Sequence, residues 1–359
     1  MKELIVYHAP YPMDWNATTA SRIRPARMLE AFRERYEVHE IIGYPADRRR
    51  AFAELKKRVK AGDKVAFAYS ESSTQPNLLA TSVKKGVDPL LEQRIFTYLK
   101  RHGIPLGQFY RDVYWMFPDQ LTTVPPIRKA IMRWLYRYDL RVLDRAGAHL
   151  FVPSDKMGEM LPAFAGRFSA LPSATTPVDS SYPANLSLFY VGGIGPHYQM
   201  HELFKAVARV PEVRLTACFP VAGWDSVKDD YEQYMGGNIR VIHASNKELP
   251  PYYADSSAAL LFVQPSEYRD FAAPMKFYEA LSFGKPIITT RGTHAGRESE
   301  RLGVGVAIDY DADALTALLH SWLDNPQLLE DLQARAREVR LSERWSDRVS
   351  QVAAQLRRA

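Results

Sequence analysis

The sequence predicts a two-domain α/β protein in which helices flank parallel sheets. Three observations predict it. Short apolar runs alternate with amphipathic stretches along most of the chain, the pattern of repeated strand–helix–strand units. Residues 171–186, LPSATTPVDSSYPANL, interrupt that alternation with a Pro/Ser/Thr/Ala composition suited to a linker. The length, 359 residues, suits two domains at roughly 100–200 residues each.

In the first half, strands are predicted at 4–8, 38–42, 65–69, 104–110 and 149–152. The stretch 24–35 between the first two is helical, with Met28, Leu29 and Phe32 on one face. In the second half, strands are predicted at 188–191, 213–217, 239–242, 258–263 and 286–289. The expected organisation is a first domain over 1–170, the linker 171–186, a second domain over 187–340, and a last helix in 341–359 that packs back on the first domain. Two such domains leave a cleft between them. Open parallel sheets bind ligands beyond the carboxyl ends of their strands, so the cleft can hold two substrates.

Composition excludes several classes. No run of about 18 apolar residues is present, which excludes a membrane-spanning helix. The start, MKELIVYHAPYP, reads as a core strand and lacks a signal peptide's basic start and cleavage site, which points to the cytoplasm. The lone Cys218 can form neither an internal disulfide nor a thiolate metal cluster. The net charge of +6 carries meaning only where it is clustered. Neither a P-loop nor G-x-S-x-G occurs.

The segment 264–290, QPSEYRDFAAPMKFYEALSFGKPIITT, is the richest in chemistry. A strand feeds a loop, and a helix is predicted to start at Pro274, a residue favoured at the first helical position. Ala273 cannot cap that helix, which leaves its first amides open to an anion. Lys276 lies in the first turn, Glu279 follows three residues later, and Gly284 ends the helix. A helix start with Lys suits a diphosphate, and a Glu one turn deeper can accept hydrogen bonds from a diol: together, a nucleotide sugar. The competing reading is an ordinary Lys–Glu surface pair. A second segment, SLFYVGGIGPHYQMHELFKA, runs a strand into Gly192-Gly193-Ile194-Gly195, where small residues let backbone amides approach a phosphate. It does not fit G-x-G-x-x-G.

Both segments resemble the carboxyl-terminal domain of glycosyltransferase family 4 (glycosyl transferases group 1), whose fold is GT-B, two Rossmann-like parallel-sheet domains facing a cleft. PMKFYEALSFGKPII is similar to the family stretch in which a Glu precedes a small-residue turn and Gly-x-Pro, FYVGGIGPHYQMHELFKAVARVPEVRLTAC to its opening strand and glycine turn, and NKELPPYYADSSAALLF to the segment before the signature. The resemblance covers about 187–340, and the first half only in architecture. It implies that Glu279 binds the donor ribose, and that Lys276 with the Gly192-Gly193 turn lies at the diphosphate. The family often has a second Glu eight residues before the ribose Glu. Phe271 stands there, with Asp270 beside it, Glu267 earlier, and Ala272 and Ala273 completing the loop. Where the family often has an Arg and a Lys on the glycine turn, this chain has Gly193 and Tyr198. Arg269 and Arg291 are other candidates for the positive charge.

In the first half, Phe109-Tyr110-Arg111-Asp112-Val113-Tyr114-Trp115 wedges ionic residues among aromatics just after a strand. Arg111 suits a phosphate or oxyanion and Asp112 a base or sugar ligand. The alternative is an Arg–Asp pair bracing the loop. The polar loop from Asp14 to Ser21, with Asn16, Thr18 and Thr19, follows the first strand, and Ser21 is expected to cap the helix carrying Arg22 and Arg24. Tyr69, Glu71 and Ser72 are weaker candidates, read first as loop capping. His197 and His201 are four apart without a third ligand, so no metal is expected, and His197 reads as solvent-facing or phosphate-side.

Residues 126–145, PIRKAIMRWLYRYDLRVLDR, form a basic amphipathic helix, with Lys129, Arg133, Arg137, Arg141 and Arg145 four apart and Ile127, Ile131, Trp134, Leu135, Tyr138 and Val142 opposing them. The common meaning is a domain helix with a solvated face. The sharper one is docking on an anionic inner-membrane surface. Nucleic-acid binding is not expected.

The function expected is transfer of a sugar from a nucleoside-diphosphate sugar, UDP- or GDP-linked, to a glycan or lipid-linked acceptor. Configuration should be retained and no cofactor is needed. The setting would be bacterial-type polysaccharide or glycoconjugate synthesis. Two other classes share this architecture: a non-catalytic sugar-nucleotide or glycan-binding relative, and a sugar-nucleotide epimerase.

Overall fold

A computed structural model of the chain describes residues 2–15, 20–117, 125–196 and 198–358. These divide into unit 1, Met1–Pro172 with Trp345–Ala359, and unit 2, Ser173–Arg344. Among the described residues, each unit carries one six-stranded, wholly parallel sheet.

Unit 1 runs β1 (Leu4–Ala9), α1 (Ala20–Arg35), β2 (Glu37–Ile42), α2 (Pro45–Lys60), β3 (Val65–Glu71), α3 (Leu91–Arg101), β4 (Leu106–Phe109), α4 (Pro126–Ala146), β5 (His149–Val152), α5 (Asp155–Glu159) and β6 (Phe168–Ala170). Its strand order is β2-β1-β3-β4-β5-β6. All six residues of β1 are buried, as a strand covered on both faces requires, whereas β2 at the sheet edge alternates. Unit 2 runs β7 (Ser187–Val191), α6 (His201–Ala208), β8 (Arg214–Cys218), α7 (Val221–Asp225), α8 (Lys228–Tyr231), β9 (Ile239–Ile242), α9 (Pro250–Ala254), β10 (Ala258–Leu261), α10 (Glu267–Phe271), α11 (Met275–Ser282), β11 (Ile287–Thr290), α12 (His294–Leu302), β12 (Gly305–Ile308), α13 (Ala312–Asp324) and α14 (Gln327–Val339). Its order is β12-β11-β10-β7-β8-β9. The chain then returns to unit 1 as α15 (Trp345–Leu356).

The sequence reading found five strands in each half, and the structure adds β6 and β12. β6 has no apolar run to announce it, and the run at β12 is short and broken by a glycine. β6 has three half-buried residues, and β12 opens on Gly305, where a Cβ would lie 2.0 Å from the Ile287 carbonyl oxygen. The stretch expected to be a linker is mostly structure of unit 2. Thr176 N–H donates to Ser282 Oγ at 2.9 Å, and Ser180 Oγ donates to the Phe283 carbonyl at 2.7 Å. Helix α1 begins at Ala20, so Ser21 lies inside its first turn rather than capping it. The predicted Asn16–Thr19 part of the preceding loop lies outside the described residues.

Helix α15 buries Trp345, Val349, Val352, Ala353 and Leu356, one face at helical spacing, against α1, β3 and β4. Leu356 reaches β4 because residue 107 is glycine: a Cβ there would meet Phe151 Cε2 at 2.6 Å and Leu356 Cδ1 at 3.0 Å. Leu356→Ala removes a fully buried side chain and should lower the stability of unit 1 by about 2–4 kcal/mol, measured by urea unfolding. An unchanged midpoint would show that α15 does not hold the sheet.

Candidate functional site

In unit 2 the strand order reverses between β7 and β10. The chain lays β8 and β9 to one side of β7, then crosses back to place β10 on the other. Loops leaving the carboxyl ends of two such strands diverge, and the gap between them is where open α/β sheets take ligands. The glycine turn leaves β7, and the 262–274 segment with α10 leaves β10. The two motifs singled out in the sequence therefore meet at one switch point.

The glycine turn is set by its neighbours. Gly192 N–H donates to the Cys218 carbonyl at 3.1 Å, so this amide belongs to the sheet and is not free for a phosphate, which corrects the sequence reading. What the turn needs is the missing side chain. A Cβ at 192 would sit 2.6 Å from Tyr190 Oη, whose hydroxyl donates to the Gly193 carbonyl at 2.9 Å. A Cβ at 193 would press on the Tyr198 ring at 3.0 Å. The Arg269 guanidinium lies over the other part of that ring, 4.9 Å from its centroid, and its Nη1 donates to the Gln264 carbonyl. Arg269 is thus held at the mouth of the switch point; the sequence offered it only as one candidate. Arg291 points elsewhere, to Asp309 at 3.1 Å. His197 lies outside the described residues, and His201 stacks on Tyr231 at 4.5 Å.

Helix α11 starts one residue later than predicted: Pro274 is its N-cap and Met275 its first residue. No side chain caps it: Pro274, not Ala273, holds the cap position, and Phe277 N–H donates to the Pro274 carbonyl at 3.1 Å, which leaves the amides of Met275 and Lys276 to an anion. Gly284 follows the helix at φ +65°, a conformation glycine adopts without strain. Lys276 Nζ lies 2.8 Å from Glu279 Oε2, both about a third exposed, so the protein as it stands makes the local ion pair. Of the neighbouring residues, the Phe271 ring is buried against Tyr268 at 5.1 Å. Asp270 is bound by Arg297 at 2.6 Å, Glu267 is exposed, and Ala272 and Ala273 are half-buried.

In unit 1 the reversal falls between β1 and β3. There Glu71, wholly buried at the end of β3, accepts a hydrogen bond from Tyr69 Oη at 2.8 Å. Arg24 Nε and Arg111 Nη2 flank it at 3.5 Å each. Burial pushes the Glu71 carboxyl above its ordinary range, while the two guanidinium groups pull it back. Arg24 also lies over the Phe109 ring at 3.6 Å. Loop capping is therefore the wrong reading of Tyr69 and Glu71; they form the floor of a buried ion cluster. Arg111 is fixed from several sides: its N–H donates to Ser72 Oγ at 3.0 Å, and Nη2 donates to the Ser72 carbonyl at 3.2 Å and to Tyr11 Oη at 3.4 Å. Asp112 accepts from Tyr114 N–H at 2.9 Å. Arg111 and Asp112 are adjacent in sequence, and Arg111 orders the loop through Ser72 and Tyr11.

Beyond the ends of β3 and β4 lies a polar recess of about 330 Å³, lined by Ser72, Gln108, Tyr110, Asp112, Tyr136 and Asp139 among others. Asp139 accepts the Asn77 N–H at 2.8 Å. The sequence missed it because it reads as one of two acids on a basic helix; only folding turns it inward. That helix, α4, also departs from expectation. Leu135 and Val142 are buried, but Ile127, Ile131 and Trp134 are 77%, 52% and 59% exposed, so the apolar stripe is only half absorbed by the core.

Residues 181–339 match the family described as glycosyl transferases group 1. The matched stretch holds both the glycine turn and α11. No curated protein matches the chain. Among solved structures, the chain is similar to sucrose-phosphate synthase from Thermosynechococcus elongatus, with 13% identity over 99% of each chain and a TM-score of 0.64. It is similar to HepE of Anabaena, solved in complex with UDP-glucose, with 12% identity over 99% of each chain and a TM-score of 0.61. It is also similar to WaaG, a glycosyltransferase involved in lipopolysaccharide biosynthesis, with 15% identity over 98% of this chain and 99% of that one and a TM-score of 0.56. The fold shared with them is GT-B.

Burial pushes the Asp139 carboxyl up to about 7, against the opposing pull of the Asn77 N–H. The folded protein then holds a proton that the unfolded chain releases near pH 4. The stability this proton brings is full below pH 4 and is lost as the pH rises through 7. Asp139→Asn removes the titration. Its stability relative to the parent should therefore improve between pH 5 and pH 8, by on the order of 2–3 kcal/mol in urea unfolding. A difference that stays flat across this range would place the carboxyl in water.

Proposed function

We propose that this chain transfers a sugar from a nucleoside-diphosphate sugar to a glycan or lipid-linked acceptor, with retention of configuration. The observation that carries the reading is Lys276 and Glu279 at the uncapped start of α11, beside the β7–β10 switch point and inside the matched glycosyltransferase segment. HepE of Anabaena was solved with UDP and with UDP-glucose, which favours UDP over GDP in the donor proposed here.

On donor binding, Lys276 turns to the diphosphate and Glu279 accepts hydrogen bonds from the ribose. The exchange costs little, because a partly exposed ion pair contributes roughly 0–1 kcal/mol. Arg269 and the open amides of α11 add positive potential at the phosphates, and Gly192 and Gly193 keep the approach clear of side chains. The donor sugar lies by the 267–273 segment. Glu267 is the exposed carboxylate there, Asp270 is held by Arg297, and Phe271, Ala272 and Ala273 contribute backbone. The scheme calls on no protein nucleophile: the leaving phosphate helps take the acceptor proton, and Lys276 stabilises the charge that develops on it. Arg111, fixed by Ser72 and Tyr11, and Asp112 position the acceptor. Charge compensation comes from side chains, so the nucleotide sugar is a substrate and no further cofactor enters. The setting proposed is cytoplasmic synthesis of polysaccharide or glycoconjugate. Exposed Ile127, Ile131 and Trp134 beside the basic residues of α4 support contact with an anionic membrane surface. No helix of the described residues is long and apolar enough to cross a membrane.

Glu279→Ala should weaken UDP binding by ~1.5–3 kcal/mol in titration calorimetry. Lys276→Ala should weaken binding of the nucleoside diphosphate but not of the nucleoside. Equal losses for both ligands would take Lys276 away from the phosphates.

The anomeric configuration of the product, read by NMR with a defined donor, tests the mechanism. Retention with a modest turnover loss in Asp112→Asn is expected. Inversion together with a ~10²–10⁴-fold loss would instead make Asp112 a general base.

A further inference from the structure

Two recesses in unit 1 adjoin. The polar one described above shares Asn77 and Asp139 with a second recess of about 540 Å³. The second is lined mainly by Leu78, Pro89, Leu90, Trp134, Leu135 and Tyr138, and its one further carboxylate, Glu92, is paired with Arg48. Trp134 and Tyr138 stack at 5.9 Å and 15°, forming one apolar wall along α4. Tyr138 Oη donates to Gln93 Oε1 at 3.1 Å, which ties that wall to α3. From the mouth, the apolar row continues outward along the same face of the helix as exposed Ile131 and Ile127, with Leu90, 53% exposed, on the other side.

The chemistry changes sharply across Asp139. On one side are Gln108, Tyr110, Asp112 and two serines; on the other, hydrocarbon and aromatic faces. Asp112 on the polar side repels an anionic head, while carboxyl, amide and hydroxyl groups suit an uncharged head bearing hydroxyls. A small polar ligand would leave the larger, apolar recess empty, and a pure hydrocarbon would desolvate the carboxyls without hydrogen-bonding them.

We propose that the two recesses together bind an amphiphilic acceptor, with its uncharged hydroxylated head against Asp112 and Asp139 and its hydrocarbon tail along Leu90, Trp134 and Leu135. The inference rests on the glycosyltransferase reading for its meaning, and it narrows the acceptor from any glycan to a sugar or alcohol carrying a long apolar tail. Tail burial decides affinity, since each buried methylene is worth roughly fourfold.

The test titrates the full chain with methyl β-glucoside, decyl β-glucoside below its micelle concentration, and decyl sulfate. Decyl glucoside should bind at least ~30-fold more tightly than the methyl glucoside, the yield of only a few buried methylenes, and more tightly than decyl sulfate. Trp134→Ser, a change at an exposed position, should weaken decyl glucoside about tenfold and leave UDP affinity unchanged. Leu90→Ser should do the same. Asp112→Asn should narrow the preference for the glucoside over the sulfate. Equal affinity for the two glucosides, tighter binding of the sulfate, or indifference to both apolar substitutions would overturn the proposal. So would a dimer in sedimentation that Trp134→Ser dissociates, since a second copy would then cover the recess. UDP binding in the same samples separates the two readings: its loss from the parent protein counts against the transferase reading alone.

Discussion

In each unit the strand order reverses once, and the candidate chemistry follows from that constraint. A parallel strand needs a crossover that covers a sheet face. Laying successive crossovers in one direction covers only one face. The chain covers the second face by returning to the first strand and building outward the other way, in unit 1 between β1 and β3 and in unit 2 between β7 and β10. At those places the loops part and leave backbone and side chains uncovered at the strands' carboxyl ends. The glycine turn and α11 in unit 2, and Tyr11, Ser72 and Arg111 in unit 1, are placed there by topology.

The two units use this opening differently. Unit 2 keeps its charged groups partly exposed. Lys276 and Glu279 pair across one helical turn and Arg269 rests on Tyr198, arrangements weak enough to exchange for a ligand. Unit 1 buries its charges. Glu71 is sealed between Arg24 and Arg111 beneath Tyr69, and Arg48 pairs with Glu92 in the interior behind β1. Such groups are costly to desolvate and costlier to leave alone, so removing one partner would strand the other. Their effect is to fix Arg111 in place. A mobile, exchangeable set of charges suits a nucleotide that must enter and leave, and a fixed set suits a surface that orients.

Helix α4 joins the unit's core to its surface chemistry. Leu135 and Val142 anchor it, Asp139 turns into the polar recess, and Trp134, Ile131 and Ile127 remain outside. Its composition is that of an amphipathic basic helix, but its apolar stripe is longer than the core it covers. Of that surplus, Trp134 forms part of the wall of the second recess.

Much of this was legible in the sequence. The strand–helix alternation, the uncapped start of α11 with Lys276 and Glu279, the end at Gly284 and the glycine turn after β7 are local features, written in residue spacing and backbone chemistry. β6 was not legible, because pairing with β5 rather than its own composition makes it a strand, and β12 is a short run that opens on a glycine and gains its place by pairing with β11. The segment after Pro172 looked like a linker because its hydrogen bonds go to α11, over a hundred residues away. Glu71 and Asp139 were misread or passed over for a similar reason. An acid in a loop or on a basic helix looks solvated in sequence, and only the packing of Arg24, Arg111 and Asn77 around it decides that it is buried. The sequence by itself determined the glycine turn after β7 and the Lys276–Glu279 pair at an uncapped helix start, since these depend on chemical type and local spacing. The tertiary structure alone decided which charges are sealed and which exchangeable, because desolvation is a property of everything that surrounds a group and not of the group itself.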